Sequence, residues 1–199
     1  MHNVKRTFKE KTHEEQKLSL LKISKFRGLA QLLLSHQRKK VYTPEALALT
    51  AKMLVRNCDF HVIWNYRREI LEHLFEEAAK GEDGKATIAK LEQNELKLTR
   101  KCISEENPKS YGTWHQRQWI VSRGGCDLKH EIDLCTEFLK RDERNFHCWN
   151  YRRFVVAKAA LSAEEEFAYT TEKIDENFSN FSSLHYRVTL FDQLILERA

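Results

Sequence analysis

The stretch NPKSYGTWHQRQW, residues 107–119, returns in altered form as DERNFHCWNYRRF, residues 142–154. Two further versions flank them, NCDFHVIWNYR at 57–67 and NFSNFSSLHYR at 177–187. Aligned on Trp64, Trp114 and Trp149, with Leu184 in the fourth copy, the intervals are 50, 35 and 35 residues. A period of 35 residues is the length of one helical hairpin. Tandem hairpins form a solenoid, because each can bury its apolar face only against its neighbours. The longer first interval reads as a hairpin with an extended helix and loop.

Positions within the copies keep their roles. Seven residues before the Trp position stand Asn57, Asn107, Asp142 and Asn177, side chains suited to ending one helix and turning the chain. Three before it stand His61, Tyr111, Phe146 and Phe181, and three after it Arg67, Arg117, Arg152 and Arg187. Positions −3, 0 and +3 share one helical row, so the expectation is an Arg stacked on a packed Trp. From there the guanidinium reaches carboxylates or helix-end carbonyls of the adjacent hairpin. One after the Trp stand Asn65, His115, Asn150 and His185, expected as satisfied polar groups at the hairpin junctions.

Capping signals divide the rest of the chain into helices. Thr12 with Glu15, and Ser162 with Glu165, form capping boxes. Thr43 caps ahead of Pro44 at the first helical position, and Ser110 and Asp127 are further caps. A helix beginning near Asp59 ends at Gly81, and another spans residues 85–105 with Ile88, Leu91, Glu95, Leu98 and Cys102 on one stripe. Leu128, Ile132, Cys135 and Leu139 form the next stripe. The last helix is marked by Phe181, Leu184, Val188, Phe191 and Ile195. An exposed apolar patch is expected beside that stripe, near Leu190, Leu194 and Leu196. No segment alternates with period two. The fold class is all-α, a right-handed α-α superhelix forming a single helical-repeat domain over 1–199.

Composition agrees. Hydrophobic residues make up 41% of 199, with two prolines and six glycines, which suits an ordered helical globule. No apolar run approaches the ~20 residues needed to cross a bilayer. The five cysteines, Cys58, Cys102, Cys126, Cys135 and Cys148, are odd in number and lack a C-x-x-C pair, a pattern of reduced cytoplasmic thiols. Cys126, His130 and Cys135 match no common zinc spacing, so no metal is assigned to this chain. Residues 1–40 hold eleven Lys or Arg against three Glu, which reads as a solvated basic helix face. Only two aromatics, Phe8 and Phe26, stand among those charges, too few for the stacking platform that nucleic acid requires.

Repeat stacking leaves unexplained the residues that differ between copies: Lys109, Tyr111, Gly112, Asn145 and His147. They stand just before or within the first turn of their helices, where side chains and helix N-termini face an anion well.

The four motif copies resemble the W-[HNQ]-x-R repeats of protein prenyltransferase α subunits. The resemblance covers residues 41–198 and is closest to the type II branch, which attaches geranylgeranyl groups to Rab GTPases. It implies a crescent of helical hairpins around a β subunit, which holds the catalytic zinc and the isoprenoid pocket. Lys109 and Tyr111 correspond to the family's P-K-x-Y motif, and Asn145, Phe146 and His147 to its N-[YF]-H segment. The resemblance therefore makes Lys109 and His147 catalytic, and Lys109, Tyr111, Asn145 and His147 binders of the diphosphate of geranylgeranyl diphosphate. Where the α chain shared by farnesyltransferase and the type I enzyme has Gln, this chain has Gly112, which favours the type II branch over that α chain, while the Arg always at +3 disfavours a non-catalytic tetratricopeptide-like scaffold. The same branch works with a Rab escort protein, and its amino terminus resembles this one, so His2, whose imidazole is a competent ligand, is expected to reach the β-subunit zinc when substrate is absent. Family chains continue through further repeats, so the expectation is a chain truncated within its fourth repeat.

Overall fold

A computed structural model describes residues 12–197; His2 lies outside them. Among the described residues there are nine α-helices and no strand. They are α1 (His13–Arg38), α2 (Pro44–Leu54), α3 (His61–Ala79), α4 (Gly84–Lys101), α5 (Tyr111–Ser122), α6 (Leu128–Arg141), α7 (Phe146–Ala159), α8 (Ala163–Glu176) and α9 (Phe181–Glu197). A π turn, Cys102–Glu106, continues α4 and replaces the regular helix expected there. Both capping boxes form, and Thr43, Ser110 and Asp127 accept the backbone N–H groups expected of them.

The helices pair as α2/α3, α4/α5, α6/α7 and α8/α9, and α3, α5 and α7 also pack on one another in series. The long first interval is absorbed by α3 and α4, 19 and 18 residues against 12 and 14 in α5 and α6. Each hairpin's apolar stripe meets the next, so the core runs along the array from Leu33 and Met53 to Tyr186 and Leu190.

All four −7 side chains make the same turn. Asn57, Asn107, Asp142 and Asn177 each accept, through Oδ1, the N–H two residues on, at 2.9–3.2 Å. The indole N–H of Trp64, Trp114 and Trp149 donates to the carbonyl six residues before it, at 2.8 Å every time. The Trp thus pins its own inter-helix loop while its ring fills the core.

The arginines form a buried polar spine. Arg67 grips Glu95 on α4 and also donates to Thr50 and the Leu47 carbonyl on α2. Arg117 repeats this with Glu131 on α6 and with Thr99 and the Leu96 carbonyl on α4. Arg152 does so with Glu166 on α8 and Thr136 on α6. Each guanidinium therefore ties the helix before its own to the helix after. The next repeat completes the carboxylate: Gln116 donates to Glu95 and Tyr151 to Glu131. Burial alone depresses an arginine, but Glu131 and Tyr151 hold Arg117 above its ordinary value, and Glu166 does the same for Arg152.

Three expectations change. The arginines reach carboxylates and carbonyls as expected, but the ring under Arg152 is Tyr169 at 3.5 Å and that under Arg187 is Phe167 at 3.6 Å, not the motif Trp. The −3 aromatics Tyr111, Phe146 and Phe181 point outward and are exposed, as are Asn65, His115, Asn150 and His185, although His115 and Asn150 do find partners in Arg68 and Arg153. In α9 the inward row is Ser183, Tyr186 and Leu190, with Leu194 partly buried against it. Phe181, Val188, Phe191 and Ile195 face out, so the exposed row is the stripe itself and Leu190, at 3% exposure, belongs to the core. The side chain of Leu196 lies outside the described residues.

Candidate functional site

Lys109, Tyr111, Asn145 and His147 meet at one seam, between the loop ahead of α5 and the start of α7. Asn145 caps α7: its Oδ1 accepts the N–H groups of His147 and Cys148, at 3.1 and 3.2 Å. Its Nδ2 donates to the Pro108 carbonyl at 3.0 Å, the same oxygen that takes the Trp114 indole N–H. Two donors on one carbonyl fix the Asn107–Ser110 loop from below. Lys109, the next residue, is carried on that loop with its side chain 63% exposed. Its ammonium sits 3.2 Å from Oδ2 of Asp142.

Beside the ammonium lies an aromatic step. The Tyr111 ring stands edge-on to His147, centroids 4.2 Å apart and planes 87° apart, and Phe146 lies 3.9 Å from the same imidazole. Tyr111 and Phe146 are exposed, whereas His147 is 7% exposed between them. Burial, and then the Lys109 charge, push His147 below its ordinary value. At neutral pH the site therefore offers one ammonium, one neutral imidazole with a single N–H to donate, and one exposed phenol. That set suits an anion with several oxygens.

Gly112 has a steric reason. A Cβ there would lie 2.7 Å from Cδ1 of Trp64 and 3.1 Å from Nδ1 of His61, so α5 approaches α3 more closely than a side chain permits.

Among the described residues no group of His, Cys, Asp or Glu is arranged to hold a metal ion. Cys135 is buried in the core, and Cys126 is half-buried and packs against that core. Two of the buried thiols are quiet: burial pushes Cys102 up to about 12, and a contact with Cys135 together with burial raises Cys148. No described helix is long and apolar enough to cross a membrane.

All four residues expected at the site, Lys109, Tyr111, Asn145 and His147, come together here, with Asn145 turned inward as a cap. Sequence reasoning missed Asp142 as a member. Its signal was present, since it is the one carboxylate among three asparagines at its repeat position.

A model of the protein prenyltransferase alpha subunit repeat matches residues 43–74, 92–124, 128–159 and 163–194. These four units are the hairpins α2/α3, α4/α5, α6/α7 and α8/α9, so both helices of the fourth hairpin are in place. The chain is similar to the geranylgeranyl transferase type-2 subunit alpha of Rattus norvegicus, with 42% identity over 139 residues, 69% of this chain and 23% of that protein. It is also similar to the protein of the same name in Dictyostelium discoideum, 36% identical over 152 residues, 74% of this chain and 47% of that one. Among solved structures, the Candida albicans protein geranylgeranyltransferase-I complexed with GGPP overlays 86% of this chain and 68% of its own, with a TM-score of 0.47 and 20% identity. The chain spans about a quarter of the length of the rat relative.

Proposed function

The chain belongs to the protein prenyltransferase alpha subunit repeat family, and from that premise we propose that it serves as the α subunit of a type II protein geranylgeranyltransferase. In this reading it works in the cytoplasm with a β subunit, supporting transfer of a geranylgeranyl group from its diphosphate to cysteines of Rab GTPases brought by an escort protein. The carrying observation is the seam where the Tyr111 ring packs edge-on to His147 with the Lys109 charge beside them. The identity to type-2 α subunits supports the branch. Gly112 supports it too, because no side chain fits where the other branch keeps a glutamine.

The chemistry asked of this chain is limited. A thiolate sulfur bonds to C1 of the isoprenoid as the C1–O bond breaks, and the electron pair leaves on the diphosphate. Charge on the diphosphate oxygens grows through that step. Lys109 follows it with a full positive charge, while neutral His147 and Tyr111 donate hydrogen bonds to the same oxygens. Asn145 acts one step back, holding the Pro108 carbonyl and hence the loop that carries Lys109. The zinc of the family belongs in this reading to the β subunit, since the described residues here form no site for it. In this reading activity requires the β subunit.

The test is co-expression with a type II β subunit and an assay of geranylgeranyl transfer to a Rab. Lys109→Ala should lower kcat with little change in lipid binding, because its contact strengthens as charge moves. Loss of a charge-assisted hydrogen bond is about 1.5–3 kcal/mol, roughly ten- to a hundredfold. His147→Ala should cost less. Absence of transfer by the wild-type pair, or full turnover by Lys109→Ala, would remove the assignment.

A further inference from the structure

The four repeats serve as internal controls for one residue. At the −7 position the turn needs only an oxygen that accepts the N–H two residues on, and Asn57, Asn107 and Asn177 supply it as well as Asp142 does. A carboxylate adds nothing to that turn. What it changes is the second atom of the side chain. In the flanking seams that atom is an amide nitrogen donating backward to an acid: Asn107 to Asp59 at 2.9 Å, and Asn177 to Glu143 at 2.6 Å. In the seam between the second and third repeats the polarity is reversed, and Oδ2 of Asp142 takes the Lys109 ammonium at 3.2 Å.

An ion pair between a 63% exposed lysine and a 35% exposed aspartate adds little to stability, so stability does not account for the reversal. Position and charge do. We infer that Asp142 is a positioning residue for Lys109: it holds the ammonium at the mouth of the seam beside His147 and balances its charge, so that the diphosphate is engaged without being gripped. The inference rests on the function proposed above. A cation that binds ground state and product as tightly as the transition state slows release and gains nothing in the chemical step. A neighbouring carboxylate weakens the resting attraction, and the ammonium can follow the diphosphate as its charge grows.

The discriminating variant is Asp142→Asn, which keeps the turn chemistry found in the other three repeats and removes only the charge. Inorganic pyrophosphate titrated into the full chain, alone and paired with a type II β subunit, should bind Asp142→Asn about three- to tenfold more tightly than wild type. In a Lys109→Ala background the same change should have no effect on pyrophosphate affinity. In the transfer assay kcat and the KM for geranylgeranyl diphosphate should both fall, a split that mere loss of folding does not produce. Equal pyrophosphate affinity in wild type and Asp142→Asn, or an equal gain with Lys109 absent, would overturn the inference. If the wild-type pair transfers no lipid yet pyrophosphate still separates the variants through Lys109, the proposed function falls and the role of Asp142 stands. No pyrophosphate binding in any form would overturn both.

Discussion

The buried spine and the exposed seam are made from the same repeat, and they differ in every physical respect. The spine places Arg67, Arg117 and Arg152 against Glu95, Glu131 and Glu166, all nearly sealed from water and recurring in register. The seam places Lys109 against Asp142 at the surface, once, with the polarity of its neighbours reversed. Recurrence marks what stacking requires of each hairpin. Departure from recurrence, at a solvated edge where stacking demands nothing, is where the proposed function is placed.

That comparison is sharpened most strongly inside the spine. Glu131 joins Arg117 of the second repeat to Tyr151 of the third, at 2.6–2.8 Å to each. Removing one partner of a buried pair strands the other, so Glu131→Ala should lose about 3–5 kcal/mol of unfolding free energy in urea titrations. Replacing the whole group, Arg117→Met with Glu131→Leu and Tyr151→Phe, should recover most of the loss, because a well-packed apolar core is often as stable as the ion pair. If Glu131→Ala unfolds like wild type, the spine does not hold the repeats together.

A smaller effect is expected where the seam backs onto the core. Gly112→Ala forces a methyl group to 2.7 Å from Trp64 Cδ1, and overpacking of this kind costs about 1–3 kcal/mol. Thermal unfolding checks it. A neutral or stabilising alanine would mean that α5 and α3 yield easily, and would remove the steric reason for the glycine.

At the rim itself stability should scarcely respond. Lys109→Ala is expected within about 0.5 kcal/mol of wild type in the same urea titrations, while its transfer rate with the β subunit drops as described above. A stability loss as large as that of Glu131→Ala would place Lys109 among the structural residues and erase the contrast.

Much of this was legible in the sequence. The caps at Thr12, Thr43, Ser110, Asp127 and Ser162, and the Trp-to-Trp spacing, depend on local chemistry that a sequence displays directly. The partners of the arginines were harder. Glu95 stood visibly on an otherwise apolar stripe, but Glu131 and Glu166 fall at the start of α6 and α8, where an acid is equally at home in water against the helix dipole. Only the three-dimensional return of each hairpin brings them under a guanidinium. The face of α9 was illegible for another reason. Its apolar residues occupy both sides, and the choice of Ser183, Tyr186 and Leu190 as the inward row is made by the surface of α8 and the third repeat, not by hydrophobicity. In the site, Lys109 and His147 stood out as departures from the repeat, whereas Tyr111 continues its −3 aromatic row. Asp142 was overlooked because its side chain performs the ordinary turn as well as the unusual contact.

The smallest expected effect concerns the protonation of His147. Its folded-state pKa lies below the ordinary 6.5, first because the imidazole is buried and second because Lys109 stands beside it. A group depressed in this way binds its proton more readily in the unfolded chain. Its contribution to stability is therefore complete above about 6.5, the ordinary histidine value, and is lost as the pH falls through the lower folded-state value. Titration of the His147 ring protons by NMR should show that depression in wild type. Lys109→Ala should raise the value only part of the way back, since burial is the larger cause and Tyr111 and Phe146 still cover the ring. Full recovery in Lys109→Ala would make the charge the dominant cause and the aromatic cover incidental. No change at all would mean that the ammonium spends its time away from the imidazole, and the seam would then be two separate contacts and not one site.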